Sequence, residues 1–469
     1  MALINMTSRD GVILHTAGKY CEEDIAVVPT FESGGEGGDL GINGVIRSYQ
    51  VNAGKSVSAG DFVEFVTNWG NGEFNYGTAT EIAAVALSEN KVLIAYSDDG
   101  NSEYGTAAVI TIDGTTVDVG PKYVFLEKSF IYSSCSLLAI SSNTALLSYE
   151  YGATAYYVTL SVDGTTVSTV GVLEHGDERN FARAYELPSG KILLIETYYY
   201  SLVNNNTTAR ISVCSMIDNV LVEEFYSSSQ GRNWLSISAV ALSENKVLVT
   251  YTRPDEGTFA CVLTIGETSI SWGEELKIAN FHPDETRSIL VSENLVLIVS
   301  GVVASSEASV YAYIVSIDGI VITLYDTNRM YSTTQNVSDF GYISLSRLSE
   351  DKFLIAGGGF VAIAQVDIAN KQLEFPGSGL AFNEDSTYNP SAQHTSLAVT
   401  SPDTALVIFS DTSIGLYRCL KIDGYDISIQ ETEKPNGVLV QPATSRLHNV
   451  GVAKTGGVGG QMVDVYCVN

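Results

Sequence analysis

Short apolar runs recur along the chain at intervals of roughly 50 residues. Two of them, KVLIAY from Lys91 and KVLVTY from Lys246, are each followed by a segment in which apolar and polar residues alternate. A short continuous apolar run is typical of a strand buried on both faces, and alternation is typical of a strand with one exposed face. No long segment has the 3.6-residue periodicity of an amphipathic helix. The pattern therefore predicts an all-β protein.

A turn phrase precedes each apolar run and marks the repeat. The phrase SENKVL occurs twice without change, and five variants such as PSGKIL and SPDTAL lie in the same phase. The steps between copies are 53, 47, 55, 49, 57 and 52 residues. The leucines that end the seven copies are Leu93, Leu146, Leu193, Leu248, Leu297, Leu354 and Leu406.

A second turn phrase follows each leucine by roughly 20 residues. It reads Asp-Gly in four repeats, beginning at Asp113, Asp163, Asp318 and Asp423. Asp-Gly between alternating runs predicts a hairpin with a type I′ turn, which needs positive φ at both central residues. Four strands in each of seven repeats predict a seven-bladed β-propeller, with each blade supplied wholly by one repeat and no strand shared between repeats. A sandwich or an open array with accidental periodicity is the alternative.

Residues outside the repeats divide the rest of the chain. We assign the propeller to 78–432 and an N-terminal attachment module to 1–32, followed by a glycine-rich linker at 33–42. Strand-like segments with glycine-containing turns lie on both sides of the propeller. We expect 43–77 and 433–469 to form one small split β domain, because inserted domains have their ends close together.

The net charge restricts the classes of partner. Asp and Glu number 54 against 25 Lys and Arg, giving a formal charge of −29. Such a surface repels phosphate backbones and anionic lipids, so we expect no nucleic-acid binding. The chain also lacks a basic start followed by an apolar run, and its apolar runs are too short to span a bilayer. We therefore expect no secretory signal and no membrane insertion.

Two flanking regions carry a resemblance to a known class of proteins. The stretch TAGKYCEEDIAVVP, from Thr16, resembles a module of bacteriophage virion and tail-associated proteins. The pair VNAGKSVSAGDFVEFV and GVAKTGGVGGQMVDVY, from Val51 and Gly451, resembles the two ends of small β-barrel modules on capsid-decoration and fibre proteins. The resemblance implies a virion localisation, with assembly in the bacterial host cytoplasm. It implies that other virion proteins bind through the N-terminal module and the split domain.

The resulting functional hypothesis is a non-enzymatic structural or binding component of a bacteriophage particle. A host-surface glycan receptor-binding protein is the alternative, with cell-surface glycan as partner, and a sialidase-like propeller glycosidase is the third. We expect no enzyme activity, cofactor or metal, because the five histidines and six cysteines are scattered and no nucleophile motif is present. The sequence leaves open whether the chain forms a homo-oligomer.

Irregular loops opposite the turn phrases are the predicted recognition surface. The clearest candidates for binding are Tyr198, Tyr199, Tyr200, Asn204 and Asn205, since tyrosine rings can stack on sugars and amides can bind hydroxyl groups. An equally weighted alternative is that some of these tyrosines pack against an outer strand.

Three arginines occupy equivalent places before three innermost strands. Arg179, Arg232 and Arg287 could together bind a carboxylate. The simpler alternative is a set of surface ion pairs with the acidic neighbours Asp177, Glu178, Asp284 and Glu285.

Overall fold

The structure is a computed structural model. It describes residues 71–429 and nine strands outside that range. Not described within that range are residues 76, 114–115, 131–134, 153, 177–178, 202–205, 230–233, 254–255, 282, 284, 305–306, 334–342, 358, 378, 383–393 and 411–413. The chain divides into two compact units, one of residues 70–431 and one of residues 1–69 with 432–469.

Residues 70–431 form seven antiparallel sheets, each with four consecutive strands paired in sequence order. Blade 1 consists of Ala79–Ser88, Lys91–Asp98, Tyr104–Asp113 and Thr116–Val119. Blade 2 consists of Cys135–Ser141, Thr144–Tyr151, Thr154–Asp163 and Thr166–His175. Blade 3 consists of Arg179–Glu186, Ile192–Ser201, Asn206–Ile217 and Val220–Ser229. Blade 4 consists of Leu235–Ser243, Lys246–Arg253, Gly257–Ile265 and Ile270–Ala279. Blade 5 consists of Glu285–Ser292, Leu295–Ala304, Glu307–Asp318 and Val321–Thr333. Blade 6 consists of Ser344–Arg347, Lys352–Gly357, Phe360–Asp367 and Gln372–Glu374. Blade 7 consists of Thr395–Ser401, Thr404–Ser410, Gly415–Asp423 and Asp426–Ile429.

The first strands of the blades contact one another in a closed ring, from blade 1 round to blade 7 and back to blade 1. The second strands carry the leucines that mark the repeats, and all seven of these leucines are fully buried. Burying a leucine side chain contributes roughly 1.5–3 kcal/mol relative to leaving it exposed. The predicted seven-bladed β-propeller is therefore confirmed, and the continuous apolar runs are the strands packed between neighbouring blades.

Hydrogen bonds explain why the Ser-x-Asn phrase recurs at the turn between the first and second strands. In blade 1, the Ser88 hydroxyl donates to Asn90 Oδ1 at 2.8 Å, which closes the turn. The Asn90 carbonyl oxygen then accepts the backbone N–H of Ile112, on the third strand, at 2.9 Å. Blade 2 repeats both bonds with Ser141 and Asn143. The phrase thus satisfies turn groups that would otherwise need water.

The Asp-Gly hairpins differ from the prediction in their register. Asp318 pairs with Val321 as the last strand residues, so Gly319 and Ile320 are the central turn residues. Of these two, only Gly319 has a positive φ, of 65°, which is the pattern of a type II′ turn. Asp163 and Asp423 precede turns of the same kind. The prediction of type I′ turns is wrong there, because the aspartate ends the strand and the glycine begins the turn.

Three further strands lie outside the four-strand pattern, and one of them comes from the opposite end of the chain. Tyr123–Ser129 and Leu380–Ala381 pair with the third strands of their own blades, 1 and 6. Asn71–Asn75 instead pairs with Gly415–Asp423 of blade 7. The expectation that each blade is supplied wholly by one repeat is therefore wrong for blade 7, since a strand from before the first repeat adds an edge to it. The segment carries no repeat phrase and gave no signal in the sequence.

Serine hydroxyl groups link the innermost strands of neighbouring blades. Ser396 of blade 7 accepts the backbone N–H of Ala84 in blade 1 at 2.9 Å. Ser236 and Ser238 of blade 4 accept two blade 5 amides, at 2.8 and 2.9 Å. Ser344 of blade 6 accepts the N–H of Leu397 at 2.9 Å. An innermost strand has no further strand on its inner edge, so these hydroxyls satisfy amides that would otherwise lack a protein partner.

The second unit contains a closed five-stranded barrel whose strands come from both ends of the chain. Val45–Val51 pairs antiparallel with Met462–Cys467 and parallel with Leu439–Pro442. The other barrel strands are Phe62–Phe65 and Gly451–Ala453. Two two-stranded sheets are also described in this unit, Asn5–Thr7 with Ile13–His15 and Ser56–Val57 with Gly457–Val458. No helix in the described part of the chain is long and apolar enough to cross a membrane.

We predict that Ser396→Ala lowers the free energy of unfolding by about 1–3 kcal/mol, because the Ala84 N–H loses its acceptor in the ring. Urea unfolding followed by fluorescence measures the change. Ser271→Ala is the matched control, since Ser271 lies exposed on an outermost strand, and it should change stability by less than about 0.5 kcal/mol. Equal effects of the two substitutions would contradict the role given to the hydroxyl group.

Candidate ligand-binding site

The innermost strands enclose a central cavity of about 840 Å³, lined by residues from all seven blades. Each innermost strand ends at a Ser-x-Asn turn or its variant, so we call that end of the cavity the turn side. The strands begin at the opposite end, which we call the loop side because the connections between blades lie there. Cavities of this size hold small-molecule ligands in many proteins.

A buried ionic cluster lies on the loop side of the cavity. It consists of Arg183 from blade 3 and the pair Glu285 and Arg287 from blade 5. Arg183 Nη2 donates to Glu285 Oε1 at 2.8 Å, and Arg287 Nη2 donates to the same oxygen. The second oxygen, Glu285 Oε2, accepts the backbone N–H of Ile343 at 2.6 Å. One carboxylate thus links blades 3, 5 and 6 and is shared by two guanidinium groups.

The blade between the two arginines allows them to approach each other. Blade 4 contributes Ser236 at this level, and its small side chain leaves space for Arg183 to reach blade 5. Arg183 also contacts the Ile237 carbonyl oxygen at 3.4 Å, and its guanidinium lies 4.8 Å from the centre of the Phe181 ring. Ser236 has a φ of 35°, and the pairing register shifts between Leu235 and Ser238. This bulge places the Ser236 hydroxyl where it accepts the N–H of Thr286.

The two arginines carry more positive charge than their shared carboxylate can balance. Burial lowers the pKa of Arg287 to about 10, and the neighbouring charge of Arg183 adds to this effect while Glu285 opposes it. The Nε–H of Arg183 is buried and has no hydrogen-bond partner among the described residues. An anion that enters the cavity here would find the buried cation Arg183, the partly exposed cation Arg287 and an available N–H donor.

Blades 1 and 7 contribute different chemistry to the loop side. Glu81 of blade 1 is buried, and its backbone N–H donates to Nδ1 of His394 at 3.0 Å. Burial lowers the pKa of His394 to about 4, so its imidazole is neutral at physiological pH. Glu81 has a φ of 51° within a bulged stretch of its strand. A non-glycine residue in this conformation costs on the order of 1 kcal/mol or more, and such strain clusters at functional sites.

Two further residues of the cavity complete its electrostatics. Burial raises the pKa of the Cys135 thiol, the charge of Glu81 adds to this effect, and Arg183 opposes it. Arg347 lies towards the turn side, where it donates to the carbonyl oxygens of Leu290 and Val291, the latter at 3.1 Å. Charged groups therefore occupy both ends of the cavity.

The structure brings one predicted arginine into the cavity. Arg287 lines it and forms the ion pair with Glu285 that the simpler alternative expected, but Glu285 is buried, so this pair lies in the cavity and not on the outer surface. Arg179 begins the innermost strand of blade 3 and pairs in register with Tyr198 on the second strand. Arg232, Asn204 and Asn205 lie outside the described residues.

The three predicted tyrosines lie on one strand of blade 3. Tyr198, Tyr199 and Tyr200 belong to Ile192–Ser201, the second strand, with Tyr198 and Tyr199 paired to Thr208 and Thr207. They therefore sit at the loop-side end of an inner strand, not on an outermost one.

The sequence did not identify Arg183, Glu81 and His394 as members of one site. They lie on blades 3, 1 and 7, and only the closure of the ring brings Arg183 and Glu81 to one cavity and His394 against the Glu81 N–H. A usable signal existed in RNFARAY, where Arg183 interrupts the apolar positions of an inner strand. Within the described part of the chain, no group of three or more His, Cys, Asp or Glu side chains is placed to hold a metal ion.

Comparisons with known proteins identify no family for this chain. No protein-family model matches it, and no curated protein is similar to it. Among solved structures, Sqt1 from Chaetomium thermophilum has a TM-score of 0.44 and 11% identity, covering 91% of this chain and 100% of that one. A putative 6-phosphogluconolactonase from Bacteroides uniformis has a TM-score of 0.47 and 8% identity, covering 64% and 84%. The periplasmic gluconolactonase of Pseudomonas aeruginosa has a TM-score of 0.39 and 10% identity, covering 64% and 83%.

These findings correct the resemblance stated from the sequence. The similar structures that have a functional name are putative 6-phosphogluconolactonases, a periplasmic gluconolactonase and Sqt1, and none of these is named as a bacteriophage protein. The assignment to a bacteriophage particle, as a decoration, fibre or tail-associated protein, is therefore wrong, and so is the virion localisation. Binding to a host-surface glycan stays a prediction. The sialidase-like alternative also gains no support. The flanking motifs misled because glycine-rich strand ends are common to many small β modules.

We predict that His394 makes the protein less stable in mild acid. Its folded pKa of about 4 is below the ordinary value of about 6.5, so the unfolded chain takes up the proton first as the pH falls. The free energy of unfolding is therefore highest above pH ~6.5 and falls towards pH ~4, by up to about 3 kcal/mol. His394→Gln keeps an acceptor for the Glu81 N–H, and it should make the free energy of unfolding less dependent on pH in this range. Urea unfolding at several pH values tests it, and parallel curves for the two proteins would refute the prediction.

Proposed function

We propose that this protein binds a small carboxylate-bearing ligand at the loop side of its central cavity, and that it does not turn the ligand over. The observation that carries the proposal is the buried cluster in which Arg183 and Arg287 share the single carboxylate of Glu285. In this proposal the ligand carboxylate supplies the second negative charge.

The partial exposure of Arg287 supports a change of its partner from Glu285 to a ligand carboxylate. Its side chain is 24% exposed, towards the cavity, whereas Glu285 is 8% exposed. Glu285 remains tied to the Ile343 N–H and to Arg183 when Arg287 turns to a ligand. A guanidinium group can bind a carboxylate through two parallel N–H donors, and such bonds are strong where water is excluded. The protein therefore offers a preorganised anion site without losing the link between its blades.

The chemistry of the other groups in the cavity, and of His394 beside it, favours binding over catalysis. The Cys135 thiol is held protonated by burial, so it is a poor nucleophile. The His394 imidazole accepts the Glu81 N–H at Nδ1, and with a pKa of about 4 it is a weak base at neutral pH. Glu285 is bonded to two cations and one amide. These groups are suited to holding charge in place rather than to proton transfer.

Isothermal titration calorimetry with a set of carboxylates and matched neutral compounds tests the proposal. We expect hexanoate or gluconate to bind, and hexanamide or glucitol to bind at least 10-fold more weakly. Arg287→Gln should weaken carboxylate binding by roughly 10- to 100-fold, since a hydrogen bond to a charged group contributes about 1.5–3 kcal/mol. Arg183→Gln should act in the same direction.

Arg347→Gln is the matched control, because Arg347 lines the same cavity at its turn side. It should leave the affinity within about 2-fold. Circular dichroism confirms that each variant is folded, and Arg287→Lys, which keeps the charge, replaces Arg287→Gln if the latter is not. Absence of carboxylate binding, or equal loss in all variants, would refute the proposal. Turnover of 6-phosphogluconolactone or gluconolactone that depends on Arg287 would overturn the non-enzymatic part.

A further inference from the structure

We infer that the ligand is a polyhydroxylated carboxylate, with its carboxylate group at Arg183 and Arg287 and its hydroxyl groups accepting hydrogen bonds from serine side chains elsewhere in the ring. This inference rests on the proposed function and specifies the ligand of the same site. It follows from the register of the seven innermost strands, which places the two arginines and the serines at equivalent positions.

The two arginines occupy the same position in their blades. Arg183 pairs with Ile195 and Arg287 with Val299, and each partner lies two residues after the leucine that marks its repeat. The same pairing defines this position in the other blades, where the residues are Ala83, Ser136, Ser238, Ser344 and Ser396. We call these seven positions the arginine–serine level. Two cationic side chains, four hydroxyl groups and one alanine thus share it.

The cavity is bordered by six of these seven residues, all except Ser238. Blade 4 departs from the pattern because of its bulge: Ser238 is buried, and Ser236 lines the cavity in its place. The cavity wall at the arginine–serine level is therefore polar, apart from Ala83.

Two of the serines have a hydroxyl proton available for a ligand. Ser344 Oγ accepts the backbone N–H of Leu397, and Ser396 Oγ accepts that of Ala84, both at 2.9 Å. A hydroxyl group that accepts one hydrogen bond can still donate one, and neither hydroxyl donates to another group in the described part of the chain. Both serines line the cavity and are partly exposed. The amide holds each oxygen atom in place, and its proton can be donated to a ligand oxygen.

These donors lie across the ring from the arginines. Ser344 and Ser396 are on blades 6 and 7, the two blades furthest from Arg183 on blade 3 in a ring of seven. Ser136, on blade 2, borders the same cavity. A ligand whose carboxylate is bound by Arg183 and Arg287 therefore has hydroxyl donors around the rest of its chain.

The chemistry of this wall favours a hydroxylated chain over an alkyl chain. Hydroxyl protons that lose water without gaining an acceptor are costly, so an alkyl chain placed against Ser344 and Ser396 would lose affinity. A chain with a hydroxyl group on each carbon brings an acceptor oxygen to each serine. A second carboxylate would lack a second cation, since the arginine–serine level has its cations only on blades 3 and 5.

Calorimetry at pH 7.5 with six-carbon compounds tests the inference. We expect gluconate to bind the unmodified protein about 10-fold or more tightly than hexanoate, because only gluconate has oxygen atoms that accept from the serines. Adipate, with a second carboxylate at the far end of an alkyl chain, should bind less tightly than gluconate. This comparison needs no variant, so it decides the question even where a substitution impairs folding.

Ser344→Ala and Ser396→Ala should each weaken gluconate binding about 3- to 10-fold and leave hexanoate binding within about 2-fold. Ser238→Ala is the matched control. Ser238 Oγ also accepts an amide of the next blade, that of Ser288 at 2.9 Å, but Ser238 is buried and its hydroxyl is paired with the Ser288 hydroxyl at 3.0 Å. It should leave both affinities within about 2-fold. Circular dichroism confirms that each variant is folded.

Four results would count against the inference. Equal affinities for gluconate and hexanoate would overturn it and leave the proposed carboxylate site standing. Tighter binding of adipate than of gluconate would overturn it in favour of a dicarboxylate. An equal loss of gluconate affinity in Ser238→Ala would show that the serines act only through the stability of the ring. Binding of none of the compounds would refute both this inference and the proposed function.

Discussion

Closure of the innermost strands into a ring is the constraint on which the rest of the structure depends. An ordinary sheet edge can pair with another strand, but seven edges that converge on one axis cannot. In this protein serine hydroxyl groups of one blade accept backbone amides of the next, as Ser396 does for Ala84. Because these links use short side chains and not a ladder of backbone bonds, a cavity remains along the axis.

The same constraint explains why charged residues can lie at the centre of a protein with only 17% charged residues. Isolated buried charges are costly, but a closed ring lets side chains from several blades reach one another. Glu285 meets Arg183 from two blades away and the Ile343 amide from the next blade. The cluster is a link between blades, and it is the site that we propose for an anion.

The regular part of the fold could be predicted from the sequence because it follows from local chemistry. The leucines of the repeat are buried in every blade, and the Ser-x-Asn phrase has a hydrogen-bonding role at each turn where it occurs. The turn type could not be predicted, since it depends on whether Asp318 or Gly319 begins the turn. The added strand Asn71–Asn75 was missed because it pairs with residues more than 300 positions away and carries no repeat phrase.

The site was predicted only in part, for a related reason. Arg287 was singled out, but its neighbour Glu285 was read as a surface partner because linear distance says nothing about which side of a strand faces the axis. Arg183 and Glu81 lie on different repeats, and each looks unremarkable within its own strand. Closure of the ring brings both residues to one cavity. Flanking glycine-rich segments, by contrast, suggested a relationship to virion proteins that the comparisons contradict.

A crystal structure with a bound carboxylate tests the central claim most directly. Crystals soaked in hexanoate, at a concentration that saturates the site in calorimetry, should show the carboxylate against the guanidinium groups of Arg183 and Arg287. Glu285 should keep its bond to the Ile343 amide in the complex. Density for the ligand on the turn side or on the outer surface, with the Arg183–Glu285–Arg287 cluster unchanged and empty, would contradict the account.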